Sequence, residues 1–178
     1  IDHVVIGAAN LISGTSYLET KLNNKFSPGG EHKVMGTHNK LLKLAKKHGW
    51  IVISDECYER LVYDGTFTSA EKLNQTHDIG ATVLTCMSLS KTYAMTGWRI
   101  GYSAGPKDII KAMSKIQGQA TSCANSIGQK ASIEALIGDQ TCVEDMKSLF
   151  LKRRDLIVEL LNDFPGVKCA NPKGAFYV

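Results

Sequence analysis

The sequence predicts an α/β fold, in which short strands alternate with helices, and three observations predict it. Two apolar runs of strand length, Trp50-Ile51-Val52-Ile53-Ser54 and residues 81–87, carry the β-branched and apolar residues of buried strands. Helical patterns lie before the first run and after the second, with helix-start signals at Pro106 and Asp139. Each run also ends on residues capable of chemistry, Asp55 after the first and Lys91 after the second. Open α/β sheets place their ligands at that carboxyl end.

The elements follow in chain order. Lys40, Lys43, Lys46 and Lys47 give one basic face to a helix that His48 ends, a solvated surface ahead of the first strand. That strand, Trp50 to Ser54, reads as buried and leads into Asp55-Glu56-Cys57-Tyr58. The second run passes into Ser88-Leu89-Ser90-Lys91-Thr92-Tyr93-Ala94-Met95-Thr96-Gly97-Trp98-Arg99-Ile100-Gly101-Tyr102. Residues 99–104 alternate as a further strand. Gly105-Pro106-Lys107-Asp108 opens a helix with proline near its first turn, and another covers residues 126–137. Asp139 precedes the pattern Val143, Met146, Leu149, Phe150, which predicts a long amphipathic helix to about Phe164. Its apolar stripe is expected in the core, and Pro165-Gly166 ends it.

Composition narrows the function classes. The 178 residues are 43% hydrophobic and 21% charged, which suits a globular domain with a core, and the net charge of +4 is modest. The densest basic cluster, Lys152-Arg153-Arg154, stands between Asp145 and Asp155. Zinc-finger spacing and aromatic-interleaved basic strands are missing, so no nucleic-acid partner is expected. Apolar runs stay short of membrane-spanning length and no signal-peptide pattern opens the chain, so no membrane partner is expected either. Five cysteines without CxxC spacing, an odd number, read as free thiols of a reducing compartment, and the expectation is a cytoplasmic protein. The five histidines lack metal-ligand spacing and no metal is expected; nucleophile-elbow and phosphate-loop motifs are absent as well.

The chemistry concentrates at the two strand ends. An amine such as that of Lys91, held at the carboxyl end of a buried strand, can attack a carbonyl to form an imine. Ser88, Ser90 and Arg99 are groups that a phosphate monoester would take as partners beside it. Asp55 and Tyr58 lie near Lys91 if both strands share a sheet. Two readings stay open for that pair: Asp55 caps the following turn while Tyr58 packs on the sheet, or both serve the chemistry of Lys91.

The string from Ser88 to Tyr102 resembles the cofactor-lysine region of the class I/II aminotransferases, fold-type I enzymes that use pyridoxal 5′-phosphate (PLP), and within them the bacterial-type aspartate aminotransferase branch. The resemblance runs over residues 23–178 and is strongest over 45–129. It implies that Lys91 carries the cofactor as an imine. Arg99, Ser88 and Ser90 would hold its phosphate, Asp55 would keep its pyridine nitrogen protonated, and Tyr58 would give a hydrogen bond to its O3′. Ser27 takes the place of the asparagine in the family's Asn-Pro-x-Asn-Pro-Thr-Gly, and Gly29 that of the threonine. For Ser27 a role at O3′ and a simple Pro-Gly-Gly turn remain equal alternatives.

The implied architecture is an incomplete, mostly parallel sheet covered by helices, with residues 99–104 as its antiparallel member. Residues 1–164 would form the C-terminal part of the PLP-binding large domain, and 165–178 the start of the small C-terminal domain. The family's phosphate-binding helix start, stacking aromatic residue and carboxylate-binding arginine are expected outside this chain, and the start at Ile1 fits a fragment. The implied activity passes an amino group from aspartate or an aromatic amino acid to a 2-oxo acid such as 2-oxoglutarate, in a homodimer with its sites at the subunit interface. Two alternatives share the motifs: a PLP-dependent lyase or synthase, and a non-catalytic PLP-binding effector domain of a transcription regulator. The second needs a DNA-binding domain upstream, and residues 1–22 resemble none.

Overall fold

The computed structural model describes residues 36–178, with side chains from Asn39 onward. In order these form α1 (Gly36–His48), β1 (Ile51–Asp55), α2 (Ala70–Thr76), β2 (Thr82–Ser88), α3 (Leu89–Thr92), a 3₁₀ turn (Thr96–Trp98), β3 (Gly101–Ala104), α4 (Lys107–Ala120), α5 (Ser126–Ile137) and α6 (Thr141–Asn162). The strands make one sheet in the order β1-β2-β3. β1 and β2 run parallel, joined by a crossover through α2, and β3 is the antiparallel member. The chain divides into two compact units, one holding the described residues up to Ile53 and Ala70–Leu84, the other Ser54–Ser69 and Thr85–Val178. The division cuts β1 and β2, so the carboxyl ends of both strands belong to the second unit.

In the first unit, α1 buries Leu42, Leu44 and Ala45 and exposes Lys43, Lys46 and Lys47. Lys46, Lys47 and His48 fill its last turn, where positive charge opposes the negative end of the helix dipole. Gly49 stops it with φ of 64°; its N–H donates to Lys46 O at 3.3 Å and that of Trp50 to Ala45 O at 2.9 Å. Trp50 thus completes a helix cap, and β1 starts one residue later than the apolar run suggests. Leu42, Leu73, Ala81 and Val83 form the core, with Val52, Ala70 and Ile79 against it. Asn74 locks the turn between α2 and β2: its side chain donates to Ala81 O and accepts from Ala81 N, both at 2.9 Å.

Burial along β1 corrects one expectation. Val52 and Ser54 are half-buried, while Ile51 and Ile53 are exposed, Ile53 by 69%. Among the described residues β1 alternates as a strand covered on one face only, not on both. The stripe of α6 departs from expectation in the same way. Val143 is wholly buried, yet Leu149, Leu156, Leu160 and, beyond the helix, Phe164 are exposed. Among the described residues no element covers these side chains.

The second unit is organised around the end of β2. β3 pairs with it in the register Thr85–Ala104, Cys86–Ser103, Met87–Tyr102 and Ser88–Gly101. Leu89, Met95 and Ile100 form a small core that Tyr93, Ala131 and Ala135 pack against. Asn125 caps α5 by accepting from Gly128 N at 2.6 Å and donates to Trp98 O at 3.2 Å, which ties the helix to the 3₁₀ turn. α6 contributes Arg154, which donates to Asp64 Oδ2 at 2.8 Å, Pro172 O at 3.0 Å and Asp155 Oδ1 at 2.7 Å.

Asn74 carries the test of this local architecture. Asn74→Ala leaves the buried N–H and C=O of Ala81 without this partner, and about 2–6 kcal/mol of stability should be lost for two such groups. Urea unfolding measures it, and an unchanged midpoint would contradict the assigned role.

Candidate active site

Ser88 ends β2 and opens α3 at once. Its backbone is extended (φ −135°, ψ 138°) and its Oγ accepts from Ser90 N at 3.1 Å, so its own O–H remains available to an anion. Leu89 is buried and its N–H donates to Ile100 O at 3.3 Å, which sets how the short helix turns. Two residues further on, Lys91 lies roughly on the opposite side of the helix from Leu89. Ser90 and Thr92 are buried and Lys91 is half-buried.

The chain then doubles back. Ala94 (φ 52°) and Arg99 (φ 55°) hold left-handed backbone that residues with side chains seldom adopt. Arg99 returns beside the start of α3, because Ile100 and Gly101 pair with Leu89 and Ser88. Its guanidinium is exposed and donates through Nη1 to Thr96 O at 3.0 Å. The approach needs glycine at position 101, where a Cβ would stand 2.7 Å from Met87 O.

β1 delivers its carboxyl end to the same edge. Glu56 N donates to Cys86 O at 2.9 Å, alongside β2. Asp55 Oδ1 accepts from Cys57 N at 3.3 Å, so Asp55 does cap the following turn. Turns closed by Glu59 N to Glu56 O and Leu61 N to Tyr58 O then bring Tyr58 round. Lys91 Nζ lies 5.9 Å from the centre of the Tyr58 ring, a cation–π distance. Asp55, Cys57, Tyr58 and Lys91 therefore form one electrostatic group. Burial first, then the Asp55 carboxylate, push the Cys57 thiol up to about 11, while the positive charge of Lys91 pulls the other way. Burial and then the hydroxyl of Tyr177 push the Tyr58 phenol above its usual range.

Tyr58 makes its ring contacts with the C-terminal segment. It meets Phe176 edge-on at 5.4 Å and 75°, and Tyr177 at 5.9 Å and 74°, with the hydroxyls of Tyr58 and Tyr177 2.8 Å apart. Phe176 also faces Lys91, whose Nζ is 5.6 Å from its ring centre. The sequence pointed to neither Phe176 nor Tyr177 as a site residue. The signal was Pro172-Lys173-Gly174-Ala175-Phe176-Tyr177, but nothing local in it says which surface it joins. In the structure Gly174 bridges antiparallel to Val62, Ala175 N donates to Leu61 O at 2.7 Å, and Tyr63 N donates to Lys173 O at 2.9 Å. A Cβ on Gly174 would meet Leu61 O at 2.8 Å.

The structure thus brings Asp55, Tyr58, Ser88, Ser90, Lys91 and Arg99 to the ends of β1 and β2 and the segments that follow them, all within the second unit. Ser27 lies outside the described residues. The arrangement offers an amine, a carboxylate and a phenol at one place, with a serine hydroxyl and a guanidinium along α3 and the returning strand.

The family profile "Aminotransferase class I and II" matches residues 22–178. An aspartate aminotransferase of Rhizobium meliloti is 42% identical over 159 residues, covering 88% of this chain and 38% of that protein. An aspartate/prephenate aminotransferase of Cereibacter sphaeroides is 42% identical over 158 residues, covering 88% and 39%. The crystal structure of an aspartate aminotransferase from Rhizobium meliloti superimposes with a TM-score of 0.73 at 41% identity, over 84% of this chain and 37% of that one. The chain spans about two-fifths of the length of these relatives. Its fold is that of the fold-type I aminotransferases, and the chain belongs to the family of class I and II aminotransferases.

Proposed function

We propose that the protein containing this chain transfers an amino group from an amino acid to a 2-oxo acid, with PLP held on Lys91. The observation that carries the proposal is the placement of the Lys91 amine beside Tyr58 and the Asp55–Cys57 turn, where two strands end together. When bound, PLP supplies an electron-accepting ring conjugated to the substrate nitrogen.

The residues fit that group chemically. Asp55 has one oxygen engaged by a backbone N–H, and a carboxylate can hold a further cationic N–H. Ser88 keeps an O–H to give, and the exposed guanidinium of Arg99 offers donors in the fork geometry that suits phosphate. Lys91, once released, would move the proton between the substrate Cα and the cofactor, as base and then as acid. Tyr58 would give its phenol proton to O3′. Ser27 is proposed as a further contact there, in place of the family's asparagine.

The substrate pair we infer is aspartate or an aromatic amino acid with 2-oxoglutarate; the names of the relatives, aspartate and aspartate/prephenate aminotransferase, support aspartate. We further propose a homodimer with no nucleic-acid or membrane partner, located in the cytoplasm. Five cysteines outside any disulfide support the last point. Among the described residues no helix is long and apolar enough to cross a membrane. Residues 165–178 are proposed as the first part of a small domain, following a large-domain portion that ends at residue 164.

Two substitutions in the full-length protein test the roles. Lys91→Ala should lower transamination of aspartate with 2-oxoglutarate by at least about two to four powers of ten, the range a positioned general base supplies. Asp55→Ala should cost a comparable factor by leaving the pyridine nitrogen unprotonated. Near-normal turnover in either variant would exclude that residue from its role.

A further inference from the structure

The hydroxyls of Tyr58 and Tyr177 are 2.8 Å apart, and either oxygen can donate. A phenol has a single proton but can accept as well as donate. If Tyr58 spends its proton on Tyr177, it has none for a third group. If Tyr177 donates, Tyr58 both accepts and keeps its proton to pass on. An oxyanion in front of Tyr58 decides between the two arrangements, because a negative oxygen draws the nearest O–H toward itself.

We propose that Tyr177 is a positioning residue for Tyr58: it donates its hydroxyl proton to Tyr58 Oη, so that the single proton of Tyr58 is directed at the O3′ oxyanion of the cofactor. The inference rests on the functional reading above and adds to it a residue that acts on the cofactor only through Tyr58. Two phenols in series polarise one another, so the outer one strengthens the hydrogen bond the inner one gives.

The placement of Tyr177 is built into the fold. Gly174 and Ala175 pair with Val62 and Leu61, Tyr63 Oη donates to Ala175 O, and Arg154 clamps Pro172 O together with Asp64. Phe176 lies edge-on to Tyr58 and restricts its ring from a second side without offering a hydroxyl. The titratable groups facing Tyr58 are Tyr177, Cys57 and Asp55, with Lys91 over its ring. Of these, Tyr177 is the one hydrogen-bonded to its oxygen. At 60% exposure Tyr177 competes with water for that position, which keeps the expected effect to that of one ordinary hydrogen bond.

The test is a pH titration of the visible absorbance band of the full-length, PLP-loaded protein, in wild type, Tyr58→Phe, Tyr177→Phe and the double variant. A hydrogen bond given to O3′ favours the deprotonated chromophore, so weakening it raises the midpoint. Tyr177→Phe should raise the midpoint by about half to one pH unit. Tyr58→Phe should raise it further, and the double variant should match Tyr58→Phe alone. A midpoint unmoved by Tyr177→Phe, or shifts that add in the double variant, would overturn the proposal while leaving the cofactor assignment standing. A wild-type protein that develops no titrating visible band on loading would overturn the functional reading itself.

Discussion

The site depends on β1 and β2 ending side by side at one edge of the sheet. The bond from Glu56 N to Cys86 O marks that edge. Beyond it each chain turns away, one through the Asp55–Cys57 turn and the other into α3. A slip of one residue in either strand would send its side chains to the opposite face and separate the carboxylate and phenol from the amine. Leu89 completes the arrangement. Buried and bonded to Ile100, it fixes the short helix so that Lys91 falls on the other side, toward Tyr58 and Phe176.

A second constraint works through residues 172–177. Arg154 is 8% exposed, and burial opposes its charge; its bonds to Asp155 and Asp64 more than offset that. Tyr63 lies under the guanidinium at 5.1 Å. Removing either carboxylate would leave the buried guanidinium less well paired. Its bond to Pro172 O sets the path of residues 172–177, which the close contact of Gly174 with Leu61 continues toward the site. Phe176 and Tyr177 reach Lys91 and Tyr58 by that route.

Much of this was legible in the sequence because its signals are local. Pro106 ahead of one helix, His48 at the end of another and Pro165-Gly166 after a third each announce their element within a turn. Asp55 was legible because it directly follows an apolar run of strand length, and Lys91 because it stands a few residues beyond another. What stayed hidden is non-local or too short to show a period. α2 has seven residues and α3 four, less than the repeats a helical pattern needs. The expected burial of Ile51 and Ile53 failed because an apolar run cannot reveal how many faces of its strand are covered. Tyr177 meets Tyr58 across 119 positions of chain, a pairing that no local spacing records. The left-handed backbone of Arg99, at a residue that is not glycine, left no sequence mark either.

The central claim is that Lys91 carries the cofactor. The most direct measurement incubates the full-length protein with PLP, reduces it with borohydride and maps the labelled peptide by mass spectrometry. A single pyridoxyl group on the peptide holding Lys91 is the expected result. Label spread over surface lysines such as Lys43 and Lys46, or no retained label, would contradict it.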